Sequence, residues 1–184
     1  MSRTRKPPLG KKIKPTFFVF CEGKTEEQYV KFLKTQYRIP IEIDSKIAGS
    51  DISDGYIERY KSSKVTHEKD KTFLLYDLDV PEMLSRLKKI QDALLLVSNP
   101  CFELWYLLHF KEQKAEIDCK YCVTELAKRN SIYIKGSISP KLKDNLVNKQ
   151  LKAVHRARKL KSYSNPSSTV YLLVEALEKA KSEL

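Results

Sequence analysis

Short apolar runs alternate with stretches of helical periodicity over the first 110 residues of the chain. Solid runs rich in β-branched and aromatic residues are typical of strands buried on both faces, and shorter alternating runs also predict strands. The predicted strands are TFFVFC (16–21), IPIEID (39–44), KTFLLYDLDV (71–80) and ALLLV (93–97). The predicted helices are residues 26–37, 51–63, 81–90 and 98–110. This alternation predicts an α/β fold with right-handed βαβ crossovers and a parallel sheet flanked by helices.

The remainder of the chain is predicted to be helical. Its helical patterns cover residues 120–130, 140–160 and 166–184. A chain of 184 residues suits one globular domain. We divide it into a flexible basic arm (1–15), an α/β core (16–110) and a helical, basic C-terminal extension packed on that core (111–184).

The chain is strongly basic, which favours a polyanionic partner such as DNA or RNA. Its 35 Lys and Arg residues against 23 Asp and Glu residues give a net charge of +12. Basic residues are concentrated in the arm and along the helix predicted over 140–160, where Val147, Leu151 and Val154 form an apolar line on the opposite side. The candidate nucleic-acid contacts are Lys24, Lys149, Lys152, Arg156 and Lys159. Alternatively, the helical stripe is an ordinary solvated face.

Composition also bears on the compartment. No apolar run approaches the ~20 residues that span a bilayer, and no apolar segment follows the basic N-terminus as in a signal peptide. The 4 cysteines then suit reduced thiols. Together these features predict a soluble cytoplasmic protein without a membrane partner.

The tripeptide Gly23-Lys24-Thr25 matches the end of a nucleotide-binding P-loop. That loop needs a glycine five positions before Gly23, and Phe18 stands there. The P-loop is therefore absent.

Acidic residues follow two of the predicted strands. Glu22 ends the first, and Asp77 and Asp79 end the third with a spacing that lets both side chains project to the same side. Functional groups of open α/β sheets gather at the carboxyl ends of the strands, and carboxylates suit Mg²⁺. If the first and third strands are neighbours, these residues form an acidic metal site. Alternatively, the Asp-x-Asp pair arises by chance.

Four segments in order resemble the RloB-like family, the AbiL-type phage-defence proteins. They are CEGKTEEQY, LLYDLD, SNPCFELWYLLHF and NPSSTVYLLVEAL, of which the third is the most specific. The Glu-Gly and Asp-x-Asp elements also resemble the wider Toprim superfamily of topoisomerases, primases and nucleases. Residues 111–160 match nothing recognisable.

The resemblance implies a Toprim-like, four-stranded parallel sheet and a site that makes or breaks phosphodiester bonds with Mg²⁺ (or Mn²⁺). In that scheme Asp77 and Asp79 hold the metal, and Glu22 is a general acid/base or a further ligand. Two metals would activate the attacking water and stabilise the leaving oxygen. The resemblance also implies an ATPase partner protein of the AbiL/RloA type.

Three further residues are candidates for this site. Val80 stands where related nucleases carry more acidic residues, so a second metal needs another carboxylate. We expect Glu103 to supply this carboxylate, in a helix whose N-cap is Asn99. The alternative for Glu103 is compensation of the helix dipole. His109 is a candidate catalytic base or a packed core residue, and Glu26 is a candidate metal residue or a first-turn helix charge. The complete catalytic set is Glu22, Asp77, Asp79, Glu103 and His109, and the metal set is Glu22, Asp77, Asp79 and Glu26.

The cysteines fit no common metal module. Cys119 and Cys122 form one C-x-x-C pair, and adding Cys101 and His109 gives four groups with the wrong spacing for zinc.

From the acidic motifs and the family resemblance we expect a metal-dependent nuclease that acts in abortive infection. The alternatives are a non-catalytic nucleic-acid-binding subunit and a primase-like nucleotidyl transferase.

Overall fold

The structure is a computed structural model, which describes residues 14–39, 41–130 and 133–183. The predicted basic arm (1–15) lies outside the described residues, apart from Lys14 and Pro15.

A mostly parallel sheet forms the centre of the protein. Its strands are β1 (Thr16–Cys21), β2 (Glu42–Ile47), β3 (Lys71–Asp77), β4 (Ala93–Asn99) and β5 (Ser167–Ser168). The helices are α1 (Lys24–Tyr37), α2 (Asp54–Ser62), α3 (Pro81–Leu87), α4 (Glu103–Leu108), α5 (Cys119–Asn130), α6 (Pro140–Arg158) and α7 (Tyr171–Ser182), with a 3₁₀ turn at Gly49–Asp51. The strand order is β2-β1-β3-β4-β5, so the predicted α/β fold is confirmed.

The sheet has five strands where the resemblance implied four. The first four are parallel, and the short β5 adds to β4 in antiparallel register, with Ser168 opposite Ser98. The helix predicted from residue 166 therefore begins later, at Tyr171, and the prediction was wrong for the residues before it. Hydrogen bonds to β4 hold this segment extended: the backbone N–H of Thr169 donates to Val97 (2.8 Å), and the hydroxyls of Ser98 and Ser168 are 3.0 Å apart.

Two helices begin at other residues than predicted. Asn99 is the last residue of β4 and precedes a cis peptide bond to Pro100, while α4 begins later, with Phe102 as its N-cap. Helix α1 begins at Lys24, before the predicted start at residue 26, and its N-cap is Gly23. The carboxylate of Glu26 explains this start, since it accepts a 3.0 Å hydrogen bond from the Gly23 N–H and closes the first turn.

Both faces of the sheet are buried, as the solid apolar runs predicted. Phe17, Val19 and Cys21 of β1 face a core cluster that includes α1, α4, α5, α6 and α7. The alternate residues, Phe18 and Phe20, face a second cluster that includes α2 and α3. The period-two alternation of side chains along a strand divides the run between the two layers of helices.

The buried face of α6 differs from the predicted apolar line. Leu151 is 81% exposed and Val147 is 38% exposed, and of the three predicted residues only Val154 is buried. The helix packs through another face, whose buried residues include Leu142, Leu146, Ala153 and Ala157. The buried face therefore combines two leucines with two small alanines, and it is rotated away from Val147 and Leu151.

None of the described helices is long and apolar enough to cross a membrane.

Candidate active site at the carboxyl ends of the strands

The pairing of β1 with β3 brings Glu22 against Asp77. Cys21 lies opposite Leu75 in the parallel register, and the Glu22 N–H continues the ladder by donating to Leu75 O at 3.0 Å. The backbone N–H of Asp77 then donates to Oε2 of Glu22 at 2.9 Å. Strands β1 and β3 are neighbours, as the predicted acidic site required, and Glu22 contacts Asp77.

Glu26 and Glu103 complete a buried carboxyl cluster, which we define as Glu22, Glu26, Asp77 and Glu103. Glu26 comes from the first turn of α1 and Glu103 from the first turn of α4, and both helices begin at this edge of the sheet. Glu26 is 4%, Asp77 8% and Glu103 1% exposed. The charges of Glu26, Glu22 and Glu103 all act on Asp77. The structure thus brings together four of the six acidic and histidine candidates for the site.

Two oxygens of the carboxyl cluster are buried and, within the described part of the chain, have no hydrogen-bond partner. They are Oδ1 of Asp77 and Oε2 of Glu103. A buried carboxylate oxygen without a donor carries a large desolvation cost, so such oxygens call for a proton or a cation. They mark the point at which the cluster can accept a ligand.

Burial and mutual repulsion raise the pKa values of Asp77, Glu22 and Glu26. The pKa of Asp77 rises to about 9, first because of burial and then because of the charges of Glu26, Glu22 and Glu103. Burial is also the main cause that raises the pKa of Glu22 and of Glu26. Asp77 therefore holds a proton at neutral pH unless a cation replaces that proton.

Asp79 lies at the exposed margin of the cluster. The strand ends at Asp77, Leu78 turns back into the core, and Asp79 is open to solvent. The charge of Asp79 contributes to the raised pKa of Glu22. A ligand that reaches both Asp77 and Asp79 would extend from the buried cluster to the surface.

Sequence reasoning missed residues 133–139, the described part of the segment between α5 and α6, which pack on the carboxyl cluster through Tyr133 and Lys135. The Tyr133 hydroxyl donates to Oε1 of Glu103 at 2.9 Å, and the Lys135 ammonium lies 3.9 Å from the same oxygen. The pKa of Lys135 is raised, first by Glu103 and also by Asp77 and Glu26. Neither Tyr133 nor Lys135 belongs to a predicted element or motif, so the sequence gives no signal that this segment returns to the site.

Serine and cysteine side chains also lie near this edge. The thiol of Cys101 interacts with Cys122 and with Cys119, and the charges of Asp77 and Asp79 reach Cys119. In β5 the buried Ser167 hydroxyl has no partner among the described residues. All 4 cysteines are free thiols. The C-x-x-C pair therefore lies beside Cys101.

His109 lies in the core at the other end of α4, six residues from Glu103, which is about 9 Å along a helix. Its Nδ1 is 2.9 Å from Trp105 O, and burial lowers its pKa to about 4. The nearest charges that act on it are those of Arg156 and Lys149. The structure does not bring His109 to the carboxyl cluster.

The candidate nucleic-acid contacts fall into two groups. Lys24 is exposed next to the carboxyl cluster, at the start of α1. On α6, Lys149 lies over the Phe110 ring (4.6 Å), Arg156 donates to Leu108 O (2.7 Å), and Lys159 is 3.8 Å from Glu112. Lys152 is exposed. Most of the predicted basic stripe therefore contacts the C-terminal end of α4 and its following loop, not the carboxyl cluster.

The carboxyl cluster suits a hard divalent cation by its chemistry. All of its donors are oxygens, two of them unpartnered, and such donors prefer Mg²⁺ or Mn²⁺. Yet among residues 14–39, 41–130 and 133–183 no three His, Cys, Asp or Glu side chains are already arranged around one metal position. Binding would need side-chain rotation, which the exposure of Asp79 permits.

The fold and the site define an α/β protein with acidic residues at the carboxyl edge of a parallel sheet. Comparison with protein-family models matches residues 17–177 to the RloB-like proteins. The chain therefore belongs to the RloB-like family, as its motifs indicated. Comparisons with curated proteins and with solved structures found no match.

Proposed function

We propose that this protein is a metal-dependent nuclease that hydrolyses phosphodiester bonds in DNA or RNA. The observation that carries the proposal is the contact of Glu22 with Asp77, beside two buried carboxylate oxygens that lack partners. A cluster of carboxyl groups inside a protein of net charge +12 is readily explained if its ligand is a divalent cation.

Asp77, Asp79 and Glu22 are the proposed residues that hold Mg²⁺ or Mn²⁺, and Glu26 and Glu103, the other members of the carboxyl cluster, are candidates to add oxygens. The bound metal would activate water and stabilise the leaving oxygen of the phosphodiester. The chain itself fixes Glu22 through the Asp77 N–H and Glu103 through the Tyr133 hydroxyl. Asp77 would release its proton to solvent on binding a metal, because ligating carboxyl groups must be ionised.

The order of the parallel strands and the positions of Glu22, Asp77 and Asp79 support a Toprim-like arrangement. Membership of the RloB-like family supports a role in defence against phage, with the nuclease as effector of abortive infection. On this proposal an ATPase partner of the AbiL/RloA type supplies the nucleotide chemistry, since Phe18 stands where a P-loop needs glycine.

A second candidate function is a non-catalytic nucleic-acid-binding subunit. It is favoured by the lack of a preassembled metal position among the described side chains, together with the basic net charge. In that case the carboxyl cluster is structural, and its neutralisation leaves nucleic-acid affinity unchanged.

A cleavage assay separates the two candidates. Purified protein is incubated with plasmid, single-stranded DNA and total tRNA in Mg²⁺ or Mn²⁺, with EDTA as one control. Asp77→Asn is the test variant, and Asp144→Asn, which neutralises an exposed aspartate of α6, is the matched control. If the protein is a nuclease, wild type and Asp144→Asn cut the substrate. Asp77→Asn does not cut it, and neither does wild type in EDTA. Absence of cutting, with the ATPase partner also present, favours the binding subunit.

A further inference from the structure

The segment between α5 and α6 is fixed over the carboxyl cluster on both sides of Lys135. Before it, the Tyr133 hydroxyl donates to Glu103, and after it, the Gly136 N–H donates to the Thr25 hydroxyl at 3.0 Å. Gly136 has a φ of +77°, and a Cβ there would lie 3.4 Å from the Lys24 Cβ. The backbone therefore approaches α1 closely in a conformation that favours glycine. These anchors hold Lys135 at the entrance of the cluster.

Lys135 is bound to the cluster only loosely. Its side chain is 67% exposed, and its ammonium is 3.9 Å from Oε1 of Glu103, a carboxylate that is 1% exposed. The ion pair is long and the ammonium is exposed to solvent, so the lysine can leave it once another cation compensates the buried charge of Glu103. The charge of Lys135 also acts on Asp77, Glu22 and Glu26. The charge of Lys135 thus acts on all four carboxyl groups.

Resting on the proposed nuclease function, we propose that Lys135 is a substrate-binding residue whose ammonium contacts a phosphate oxygen of the nucleic acid at the carboxyl cluster. With a metal ion bound at the carboxyl cluster, Lys135 would no longer be needed to balance the charge of Glu103. Its ammonium would then be available for another anion, and a lysine is a compact charge suited to phosphate. This contact would bring a polyanion to a site that otherwise repels it.

The alternative is that Lys135 only balances the charge of Glu103. Such a counter-ion would affect the stability of the fold but not the salt dependence of nucleic-acid binding. A phosphate contact has the opposite signature, because each neutralised phosphate of a single strand changes the slope of log K against log[salt] by about 0.7.

The test measures binding of a short fluorescein-labelled single strand, as DNA and as RNA, to the full chain in Ca²⁺ at several salt concentrations. The variants are Lys135→Ala and Lys135→Arg. Lys179→Ala is the matched control, because Lys179 also forms an ion pair of 3.9 Å and its side chain is 74% exposed, on α7. Thermal melting of every variant identifies effects on the fold.

We expect Lys135→Ala to bind about tenfold more weakly, with the salt slope reduced by about 0.7, while Lys135→Arg keeps most of the affinity. Lys179→Ala should match wild type. Equal binding by Lys135→Ala and Lys179→Ala overturns the inference, as does a lower melting temperature with an unchanged salt slope. Wild-type protein that binds neither strand also overturns it.

The two proposals fail separately in this design. If wild type cleaves and Lys135→Ala binds the strand as tightly as the control, Lys135 is not part of the substrate site and the nuclease proposal stands. If wild type does not cleave in Mg²⁺ or Mn²⁺ and Lys135→Ala binds more weakly as expected, the nuclease proposal fails. Lys135 is then a nucleic-acid contact of a binding subunit.

Discussion

The backbone N–H of Asp77 donates a 2.9 Å hydrogen bond to Oε2 of Glu22, across neighbouring parallel strands and 55 residues of sequence. This bond turns the Glu22 carboxylate towards the end of β3, where the Asp77 side chain lies. It occupies one Glu22 oxygen and leaves Oδ1 of Asp77 without a partner among the described residues. The geometry therefore gives the two acids different roles: Glu22 is held in place, whereas Asp77 is open to a ligand.

The charge of Glu22 can be removed without removing its hydrogen bond. In Glu22→Gln the amide oxygen can still accept from the Asp77 N–H, so we expect the fold to be kept. Cleavage should fall by at least about 100-fold, because a neutral amide is a poor ligand for a divalent cation. The matched control is Glu27→Gln, which removes only the surface pair with Lys31. Similar rates for both variants, measured with the substrate that wild type cuts, would show that the Glu22 charge is not used.

The stability of the metal-free protein should fall as pH rises, because of Asp77. Its pKa of about 9 in the fold lies above the ordinary value of about 4, so the folded protein binds the proton more tightly than the unfolded chain. The resulting stabilisation is complete below pH ~4 and is lost as pH rises through about 9. Urea denaturation in EDTA should show this decline in wild type and a smaller one in Asp77→Asn. Parallel pH profiles for the two proteins would contradict the raised pKa.

Removal of the Tyr133 hydroxyl should destabilise the protein and weaken the site. Tyr133→Phe leaves a Glu103 oxygen without its 2.9 Å donor, and an unsatisfied buried acceptor costs about 1–3 kcal/mol. We expect the free energy of unfolding to fall by that amount in urea denaturation, together with a lower cleavage rate. Tyr121→Phe, at a residue 43% exposed, is the control and should match wild type. A stable Tyr133→Phe with full activity would mean that the hydroxyl does not hold Glu103.

His109 should contribute to stability in acid and not to cleavage. Its pKa of about 4 in the fold lies below the ordinary value of about 6.5, so its stabilisation is present above pH ~6.5 and lost as pH falls through about 4. In His109→Phe, whose ring has a similar size, this loss should disappear from the acid denaturation profile. The cleavage rate per folded molecule should stay within about threefold of wild type, because the ring lies about 9 Å along α4 from Glu103. A loss of about 100-fold would restore His109 as a catalytic residue.

The sheet and part of the site could be predicted from sequence because their signals are local. A run such as TFFVFC, apolar at every position, predicts a strand with both faces buried, and the acids that follow such runs lie at one edge. Strand β5 has two residues and is held by contacts with β4 some 70 positions earlier, so no local pattern reveals it. The position of Lys135 is also not revealed by a local pattern, because its ion pair with Glu103 forms only in the tertiary fold. On α6 the predicted line followed Val147 and Leu151, although Leu142 and Leu146 lie on the face that is buried.

The central claim is that the carboxyl cluster binds a divalent metal, and a Mn²⁺ titration followed by electron paramagnetic resonance tests it most directly. Wild type and Asp144→Asn should bind Mn²⁺ with equal affinity, and Asp77→Asn should bind at least about tenfold more weakly. Mg²⁺ should displace the bound Mn²⁺. If wild type binds no Mn²⁺, or if Asp77→Asn binds it as tightly as wild type, the cluster is not a metal site.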